Sequence, residues 1–228
     1  MSAEDQKRAA GEAAAALAQD GMVLGLGTGS TSAWFVKALA ARELKGLRCV
    51  CTSKATEALA ASLGLALLDL NDAPPIDLTV DGADQIGPQL ALIKGGGAAL
   101  LREKLVWEAS KRCVAIADAA KPADHLGAFP LPIEVVAFGH VTTRWRLEEA
   151  LGICGVHAQP VLRLKDGAPL VTDNGNLIYD IACGVIPDPV ALAAALDRIT
   201  GVVEHGLFLN LADLALVGYD DGVRQLTP

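Results

Sequence analysis

The first half of the chain alternates short apolar runs with longer stretches rich in alanine and leucine. Each apolar run has the length of a buried strand, about five residues, and each stretch between them has the length of a helix. The alternation predicts strands at 22–26, 48–52, 76–80 and 113–117, and helices at 3–19, 30–42, 54–63 and 98–110. Strands that alternate with helices pair into a parallel sheet with helices on both faces. We therefore predict an α/β fold.

The character of the sequence changes near Pro130 and Pro132. Beyond this point strand-like and helical segments follow in a mixed order, with a strong turn signal in Asp173–Asn176. The predicted strands are 133–137, 157–164, 170–172, 177–181 and 202–204, and the predicted helices are 141–151 and 188–199. This order indicates a small α+β domain inserted into the α/β domain. The predicted domains are 1–130 with 205–228 and 131–204, and the tail segments 214–217 and 222–226 are expected to return to the first sheet.

Composition excludes several classes of protein. Of 228 residues, 27 are acidic and 19 are Lys or Arg, so the formal net charge is −8 and non-specific binding to nucleic acid is not expected. No run of about 18 apolar residues predicts a membrane span, and no signal peptide is predicted. The five cysteines are odd in number and lack a Cys-x-x-Cys spacing, which is typical of buried thiols in a reducing, cytoplasmic protein.

The first motif that could bind a ligand is Gly25–Thr31, which lies between a predicted strand and a predicted helix. Glycines let the backbone approach a ligand closely, and the helix N-terminus offers amides to a phosphate. The motif lacks the lysine of a Walker loop and the third glycine of a dinucleotide-binding loop, so its hydroxyls suit a small phosphate ester. The alternative is a tight turn with an ordinary Ser or Thr helix cap.

Two carboxylates, Asp81 and Asp84, stand three positions apart directly after a predicted strand. In open α/β sheets, ligands bind at the carboxyl ends of the strands. Asp81 and Asp84 could therefore hold sugar hydroxyls, exchange protons or bind a cation. The alternative is a turn in which Asp81 accepts hydrogen bonds from nearby amides.

A third motif, Lys94–Lys104, combines a cation, three glycines and a carboxylate. The glycines Gly95–Gly97 cost backbone entropy, and close approach to a ligand is a reason for their presence. Glu103 follows on a predicted helix among leucines, where burial would raise its pKa toward that of a useful general base. The alternative is a solvated Glu103 within a charged patch formed with Arg102 and Lys104.

Lys121 follows another predicted strand and could reach an anion, although an isolated lysine is more commonly a surface residue. The four histidines lack the spacing of metal ligands, and no His-Glu-x-x-His motif occurs. The sequence therefore predicts no metal site.

Together, these motifs resemble those of ribose-5-phosphate isomerases of the A type. The matching segments, in order, are GLGTGST at 25–31, VDGAD at 80–84, KGGGAAL at 94–100, REK at 102–104, IAD at 116–118 with Lys121, FPLPIEV at 129–135, VTDNGN at 171–176 and GLF at 206–208. Each segment alone is short, but their order and spacing cover nearly the whole chain.

The resemblance implies a Rossmann-like domain, a small ferredoxin-like domain and assembly into a homodimer or homotetramer. It also implies interconversion of ribose 5-phosphate and ribulose 5-phosphate, the phosphorylated sugars of the pentose phosphate pathway, without a metal or other cofactor. No nucleic acid or membrane partner is implied, and the expected location is the cytoplasm.

The resemblance further implies roles for individual residues. Glu103 matches the proton-transferring base, and Asp81, Asp84 and Lys94 match groups that handle ring opening and the enediolate. The implied substrate-binding positions are Thr28, Gly29, Ser30, Thr31, Gly82, Ala83, Gly95, Gly96, Gly97, Lys121 and Lys7. Leu211 departs from the family pattern, at a position outside this chemistry.

Other functions stay open from the sequence alone. A sugar-phosphate sensor would keep the anion-binding loop and need no base. An amino-sugar-phosphate deaminase would need a catalytic histidine that the sequence does not place in the expected context, and the chain is short for acyl-CoA transfer. The combination of Asp81, Lys94 and Glu103 favours an isomerase.

Overall fold

The computed structural model describes every residue from Met1 to Pro228. Its α-helices are α1 (Ala3–Ala15), α2 (Ser30–Ala40), α3 (Lys54–Ser62), α4 (Leu100–Glu108), α5 (His140–Ile153) and α6 (Pro189–Leu196). Its strands are β1 (Val23–Leu26), β2 (Arg48–Cys51), β3 (Leu78–Gly82), β4 (Gln85–Ile86), β5 (Leu92–Ile93), β6 (Cys113–Asp118), β7 (Leu131–Val135), β8 (Pro160–Leu162), β9 (Leu164–Lys165), β10 (Ala168–Pro169), β11 (Leu177–Ile181), β12 (Val202–His205), β13 (Leu207–Phe208), β14 (Leu214–Tyr219) and β15 (Gly222–Leu226). None of the helices has both the length and the apolar surface that traversing a bilayer requires.

The chain forms two compact units. The first comprises Met1–Ala83, Arg102–Pro122 and Asn210–Pro228, and the second comprises Asp84–Leu101 and Ala123–Leu209. The predicted domains, 1–130 with 205–228 and 131–204, differ from these units in the placement of 84–101, 123–130 and 205–209. The domain assignment made from the sequence stays a prediction.

The first unit is built on a six-stranded sheet in the order β15-β14-β6-β3-β1-β2. All of its strands pair in parallel except β15, which adds an antiparallel edge to β14. Neighbouring residues of β1 pack on opposite faces, since Leu24 clusters with Phe35 of α2 whereas Val23 clusters with Val106 of α4. Helices therefore cover both faces, which confirms the predicted fold class. Strands β14 and β15 belong to this sheet, which confirms that the tail returns to it.

Helix α1 is shorter than the sequence predicts. It begins with a capping box, in which the Ser2 hydroxyl accepts from the Asp5 amide and the Asp5 carboxylate accepts from the Ser2 amide. It ends at Ala15 rather than at residue 19. The Arg42 guanidinium donates to the carbonyls of Ala15 and Ala18, and the Ala15 carbonyl also accepts from the Ala18 amide, so a turn and a side chain satisfy the carbonyls at this end of the helix.

The second unit contains a four-stranded antiparallel sheet in the order β12-β7-β11-β8. Both of its long helices pack on one sheet face, because Leu147 of α5 and Leu192 of α6 share a cluster with Ile133 of β7 and Ile181 of β11. A sheet with two helices on one face is the small α+β arrangement that the sequence predicts.

The same unit has a three-stranded sheet in the order β13-β5-β4, which the sequence did not predict. Each of these strands has only two residues, too few for an alternating pattern to show. Its register pairs Leu207 with Ile93 and Phe208 with Leu92, so β5 is fixed directly before Lys94.

The segment between α5 and β11 also differs from the prediction. The predicted strand at 157–164 is reduced to β8, while β9 and β10 pair as a separate hairpin that turns at Gly167. The predicted strand at 170–172 forms only an isolated bridge between Val171 and Leu177, because the turn at Asp173–Asn176 folds the chain back at once.

Candidate active site

The first glycine loop, defined as Gly27–Thr31, connects β1 to α2 in the first unit. Helix α2 begins at Ser30, and its N-cap Gly29 has φ +102° and no side chain to cap the amides of the first turn. Gly29 and Ser30 are exposed, so these amides are open to a ligand. The Lys7 ammonium on α1 lies 3.1 Å from the Ser30 hydroxyl. Open helix amides beside an ammonium form an environment for a phosphate.

Hydroxyl groups of neighbouring elements form hydrogen bonds with the first glycine loop. The Thr28 hydroxyl lies 2.7 Å from that of Thr52, 2.8 Å from that of Ser53 and 3.3 Å from that of Thr56. Thr56 in turn donates to the carbonyl of Gly27 over 2.9 Å. These partners lie at the end of β2 and the start of α3, so the neighbouring strand and helix fix the loop.

Asp81 at the end of β3 is fully buried and serves the same loop. Its Oδ1 atom accepts hydrogen bonds from the amides of Thr28 at 2.9 Å and Gly82 at 2.7 Å, and from the Ser32 hydroxyl at 3.2 Å. A Cβ at Gly27 would lie 2.0 Å from this oxygen, so only glycine fits at that position. Asp81 thus does accept from nearby amides, as the structural alternative predicts, and its catalytic role stays a prediction.

Glu103 lies on α4, in the first unit. Its side chain is 3% exposed and that of Lys104 is 8% exposed, so the interpretation of Glu103 as a solvated residue is wrong. The leucines near Glu103 in the sequence differ in burial, since Leu100 is fully buried whereas Leu105 is 48% exposed. A buried carboxylate is costly unless it is satisfied by other groups, which makes Glu103 a strong candidate for chemistry.

The carboxyl ends of three adjacent strands bring several predicted residues to one edge of the first unit's sheet. The first glycine loop follows β1, Asp81–Ala83 lie at the end of β3, and Lys121 comes after β6. The chain crosses to β2 on one side of β1 and to β3 on the other, so this edge includes the point where the strand order reverses. Ligands bind at such points in doubly wound sheets.

The second glycine loop, defined as Lys94–Gly97, follows β5 in the second unit. The Lys94 amide donates to the Gly206 carbonyl at 2.9 Å, and the Lys94 ammonium lies 5.4 Å from the centre of the Phe208 ring. Lys94 is only 2% exposed. Gly206, directly before β13, therefore holds the backbone of this lysine, and Phe208 within β13 contacts its side chain.

Two charged side chains hold the rest of the second glycine loop. Asp84 accepts from the Gly96 amide at 2.7 Å, and Arg163 donates to the carbonyls of Gly95 at 2.9 Å and Gly96 at 3.2 Å. Arg163 is itself paired with Asp180 on β11. Sequence reasoning missed Arg163 and Asp180, because no local motif links them to a loop nearly seventy residues earlier in the chain.

The predicted site residues therefore fall into two groups. The first unit contains Lys7, Thr28, Gly29, Ser30, Thr31, Asp81, Gly82, Ala83, Glu103 and Lys121, and the second contains Asp84, Lys94, Gly95, Gly96 and Gly97. Within the first group the structure brings Lys7 to Ser30 and Asp81 to Thr28. Within the second it brings Asp84 to Gly96.

One cluster in the second unit has the composition of a metal site. Asp197, Glu204 and His205 each offer a ligand atom within 4.8 Å of the others. Both ring nitrogens of His205 are engaged, however, since Nε2 lies 3.2 Å from Asp197 and Nδ1 accepts from the Leu207 amide at 3.3 Å. We therefore assign the cluster to hydrogen bonding rather than to metal binding.

Four of the five cysteines are poorly suited to a reactive site. All five are free thiols. Burial raises the pKa of Cys49, Cys51 and Cys113 to about 12 and that of Cys183 to about 11. Thiols with such pKa values are protonated at neutral pH and are poor nucleophiles.

Comparison with known proteins connects this geometry to a family. The family model for ribose 5-phosphate isomerase A (phosphoriboisomerase A) matches residues 48–222. A ribose-5-phosphate isomerase A of Caulobacter vibrioides is 66% identical over 228 residues, with 100% of both chains covered. The ribose 5-phosphate isomerase of Plasmodium falciparum has a TM-score of 0.93 at 34% identity, with 99% of each chain covered. The structure of a D-ribose-5-phosphate isomerase in complex with phospho-erythronic acid has a TM-score of 0.93 at 36% identity, with 100% of both chains covered. The chain belongs to the ribose 5-phosphate isomerase A family.

Proposed function

We infer that this family member interconverts D-ribose 5-phosphate and D-ribulose 5-phosphate, a step of the pentose phosphate pathway, by proton transfer through an enediolate. The observation that supports this mechanism most directly is the burial of Glu103, which is 3% exposed on α4. Aldose-to-ketose isomerisation moves one proton from carbon 2 to carbon 1 of the open-chain sugar and a second proton from the oxygen on carbon 2 to the oxygen on carbon 1. A single carboxylate removes the proton from carbon 2 and returns it to carbon 1, and a positioned base of this kind contributes about 10²–10⁴-fold.

Negative charge develops on the two oxygens of the enediolate and needs a positive partner. The buried Lys94 ammonium supplies one, and the Gly97 amide of the second glycine loop supplies an oriented dipole, since the Lys94 and Gly96 amides donate to Gly206 and Asp84. Opening of the sugar ring requires proton transfer to and from hydroxyls, a role that suits Asp81 or Asp84.

The phosphate group is assigned to the first glycine loop. The uncapped start of α2 provides amides, Ser30 and Thr31 provide hydroxyls, and Lys7 provides a charge 3.1 Å from Ser30. Lys121, after β6, is the second cation assigned to the substrate. The ligand of the related structure, phospho-erythronic acid, combines a phosphate with a carboxylate, and the same two kinds of anion subsite are proposed for this chain.

Three further properties remain proposals on the strength of the family resemblance. They are a homodimeric or homotetrameric assembly, a cytoplasmic location and a reaction that needs no metal. The experiment that follows includes a chelator so that the last of these is tested directly.

The function is tested by incubating purified protein with ribose 5-phosphate in heavy water, with a chelator present, and following the sugar by NMR. We expect ketose to form and deuterium to appear at carbon 2 of the recovered aldose. Ligand binding without ketose formation or exchange would indicate a sugar-phosphate sensor instead. Activity that appears only when the chelator is omitted would overturn the metal-free mechanism.

The base is tested in the same assay with Glu103→Gln, which removes the carboxylate but keeps the shape of the side chain. We expect kcat to fall at least about 100-fold while substrate binding and the thermal unfolding midpoint stay close to those of the wild type. Glu108→Gln is the matched control, because Glu108 lies on the same helix and is exposed. Near-wild-type turnover in Glu103→Gln would remove Glu103 from the mechanism.

A further inference from the structure

The guanidinium of Arg163 links the middle of the second unit's sheet to the second glycine loop. Its Nε atom donates to Asp180 at 2.7 Å, and Nη2 pairs with the other oxygen of the same carboxylate. Its Nη1 atom donates to the carbonyls of Gly95 and Gly96. All three nitrogens of the fork are therefore engaged, and the side chains of Arg163 and Asp180 are only 15% and 27% exposed.

Both residues of this pair sit on a rigid base. Asp180 lies within β11, which pairs with β7 on one side and β8 on the other. The Arg163 amide donates to the Ile178 carbonyl of β11 at 2.8 Å, so its backbone remains bound to this strand beyond the end of β8. The position of the guanidinium is therefore set by the sheet rather than by the loop.

The hydrogen bonds of Arg163 determine the direction of two successive peptide groups. In a trans peptide the carbonyl and the following amide point in opposite directions. When Arg163 holds the Gly95 carbonyl, the Gly96 amide points the other way, to Asp84 at 2.7 Å. When Arg163 holds the Gly96 carbonyl, the Gly97 amide likewise points away from the guanidinium, and Gly97 is exposed to a ligand.

A loop of three consecutive glycines needs such an external support. Glycine loses more conformational freedom on ordering than any other residue, so the loop does not hold one conformation by itself. Arginine is suited to the task because its planar fork can bind a carboxylate with two nitrogens and still present the third. A lysine at the same position offers one flexible ammonium and cannot make all four contacts in this geometry.

We propose that Arg163, fixed by Asp180, is a positioning residue for the isomerase reaction, which it supports by orienting the amides of the second glycine loop. This proposal rests on the proposed function, in which the Gly97 amide and Lys94 stabilise the enediolate while the Gly96 amide holds Asp84. Arg163 acts through the loop and not on the substrate. Loss of the pair therefore weakens the stabilisation of the intermediate more than it weakens binding of the ground-state sugar phosphate.

The test compares Arg163→Lys, Arg163→Met and Asp180→Asn with the wild type for kcat, KM and thermal unfolding midpoint. We expect kcat for ribose 5-phosphate to fall about 10- to 100-fold, the loss typical of a group displaced by about 1 Å, while KM changes less than about threefold. Arg163→Lys should fail to restore kcat. With substrate deuterated at carbon 2, the isotope effect on kcat should be at least as large as in the wild type, because the slowed step is proton transfer.

Arg144→Met is the matched control, since Arg144 also forms an ion pair in the second unit, with Glu148 on the same helix. It should lower the unfolding midpoint less than Asp180→Asn does, as expected for a more exposed pair, and leave kcat within about twofold. Asp180→Asn keeps the side-chain shape, so it provides a folded variant if Arg163→Met does not fold.

Two outcomes would overturn the proposal. One is kcat within threefold of the wild type in folded Arg163→Lys and Asp180→Asn. The other is a loss of kcat that disappears when activity is divided by the native fraction, or that comes with a smaller isotope effect. Failure of the proposed function is distinguishable, because the wild type itself would then form no ketose.

Discussion

The two glycine-rich loops of this protein are held in different ways. The first glycine loop is supported by hydroxyls at the end of β2 and the start of α3 and by Asp81 at the end of β3, all parts of one parallel sheet and its helices. The second is supported by charged side chains, Asp84 on one side and Arg163 on the other. Gly27 of the first loop is buried, whereas Gly96 and Gly97 of the second are exposed.

The comparison shows that two glycine-rich loops of similar composition depend on different kinds of support. The first loop begins in the interior of its unit, where Gly27 is required by packing against Asp81, and only its later residues Gly29 and Ser30 are exposed. The second loop also begins with buried residues, Lys94 and Gly95, but its exposed end at Gly96 and Gly97 keeps its shape through hydrogen bonds to charged side chains. Substitutions in or beside the first loop should therefore affect stability or binding, whereas substitutions in the second should affect turnover.

The largest effect is expected for Lys94→Met in the second glycine loop. Methionine retains the apolar stem of this buried side chain but removes the ammonium, so kcat/KM should fall about 10²–10³-fold, the range seen when one group that stabilises a developing anion is lost. Steady-state kinetics measures the loss. Lys165→Ala, at an exposed lysine of the same unit, is the control and should leave kcat/KM unchanged. A change in stability with kcat intact would contradict the assignment of Lys94.

An intermediate effect is expected for Gly27→Ala in the first glycine loop. The new Cβ would lie 2.0 Å from Asp81 Oδ1 and 2.5 Å from the Asp81 Cα, so the free energy of unfolding should fall by about 3 kcal/mol. Chemical denaturation followed by circular dichroism measures this change. Gly152→Ala in α5, where nothing lies within 4 Å of the new Cβ, should instead be neutral or stabilising. Unchanged stability in Gly27→Ala would mean that the first loop is no more constrained than the second.

The smallest effect is expected for Lys7→Ala beside the first glycine loop. Lys7 lies 3.1 Å from the Ser30 hydroxyl and its side chain is partly exposed, so its contribution to phosphate binding is screened by solvent. KM should rise about threefold to tenfold at low salt, less at high salt, with little change in kcat. Arg8→Ala on the same helix provides the comparison, because Arg8 pairs with Asp5. A fall in kcat without a rise in KM would place Lys7 in the chemical step.

The sequence predicted the first loop better than the second, for a physical reason. The supports of the first loop come from strand ends, and a parallel sheet brings strand ends to one edge once the strand–helix alternation is recognised. The supports of the second loop depend on β5 and β13, strands of two residues each, and on Arg163 and Asp180 in a distant part of the chain. Two-residue strands leave no periodicity, and a side chain that binds backbone carbonyls leaves no motif.

Helix ends show the same limit on a smaller scale. The composition of residues 3–19 favours a helix throughout, yet α1 ends at Ala15. The Arg42 guanidinium, which donates to the carbonyls of Ala15 and Ala18, lies just after the next helix in the chain, α2. Burial of Glu103 followed from its leucine neighbours, but exposure of Leu105 shows that neighbours in the sequence do not identify which side of a helix is covered.

The order of strands in the first unit has a consequence for synthesis of the chain. Strand β14 lies between β6 and β15, and it comes from residues 214–219, almost at the end of the sequence. During translation, β6 emerges from the ribosome about a hundred residues before its neighbour and has an unpaired edge in the interval. Its six residues are buried in the finished protein. A nascent chain that stalls before residue 214 would thus present an apolar strand with open backbone groups, the kind of edge that promotes aggregation.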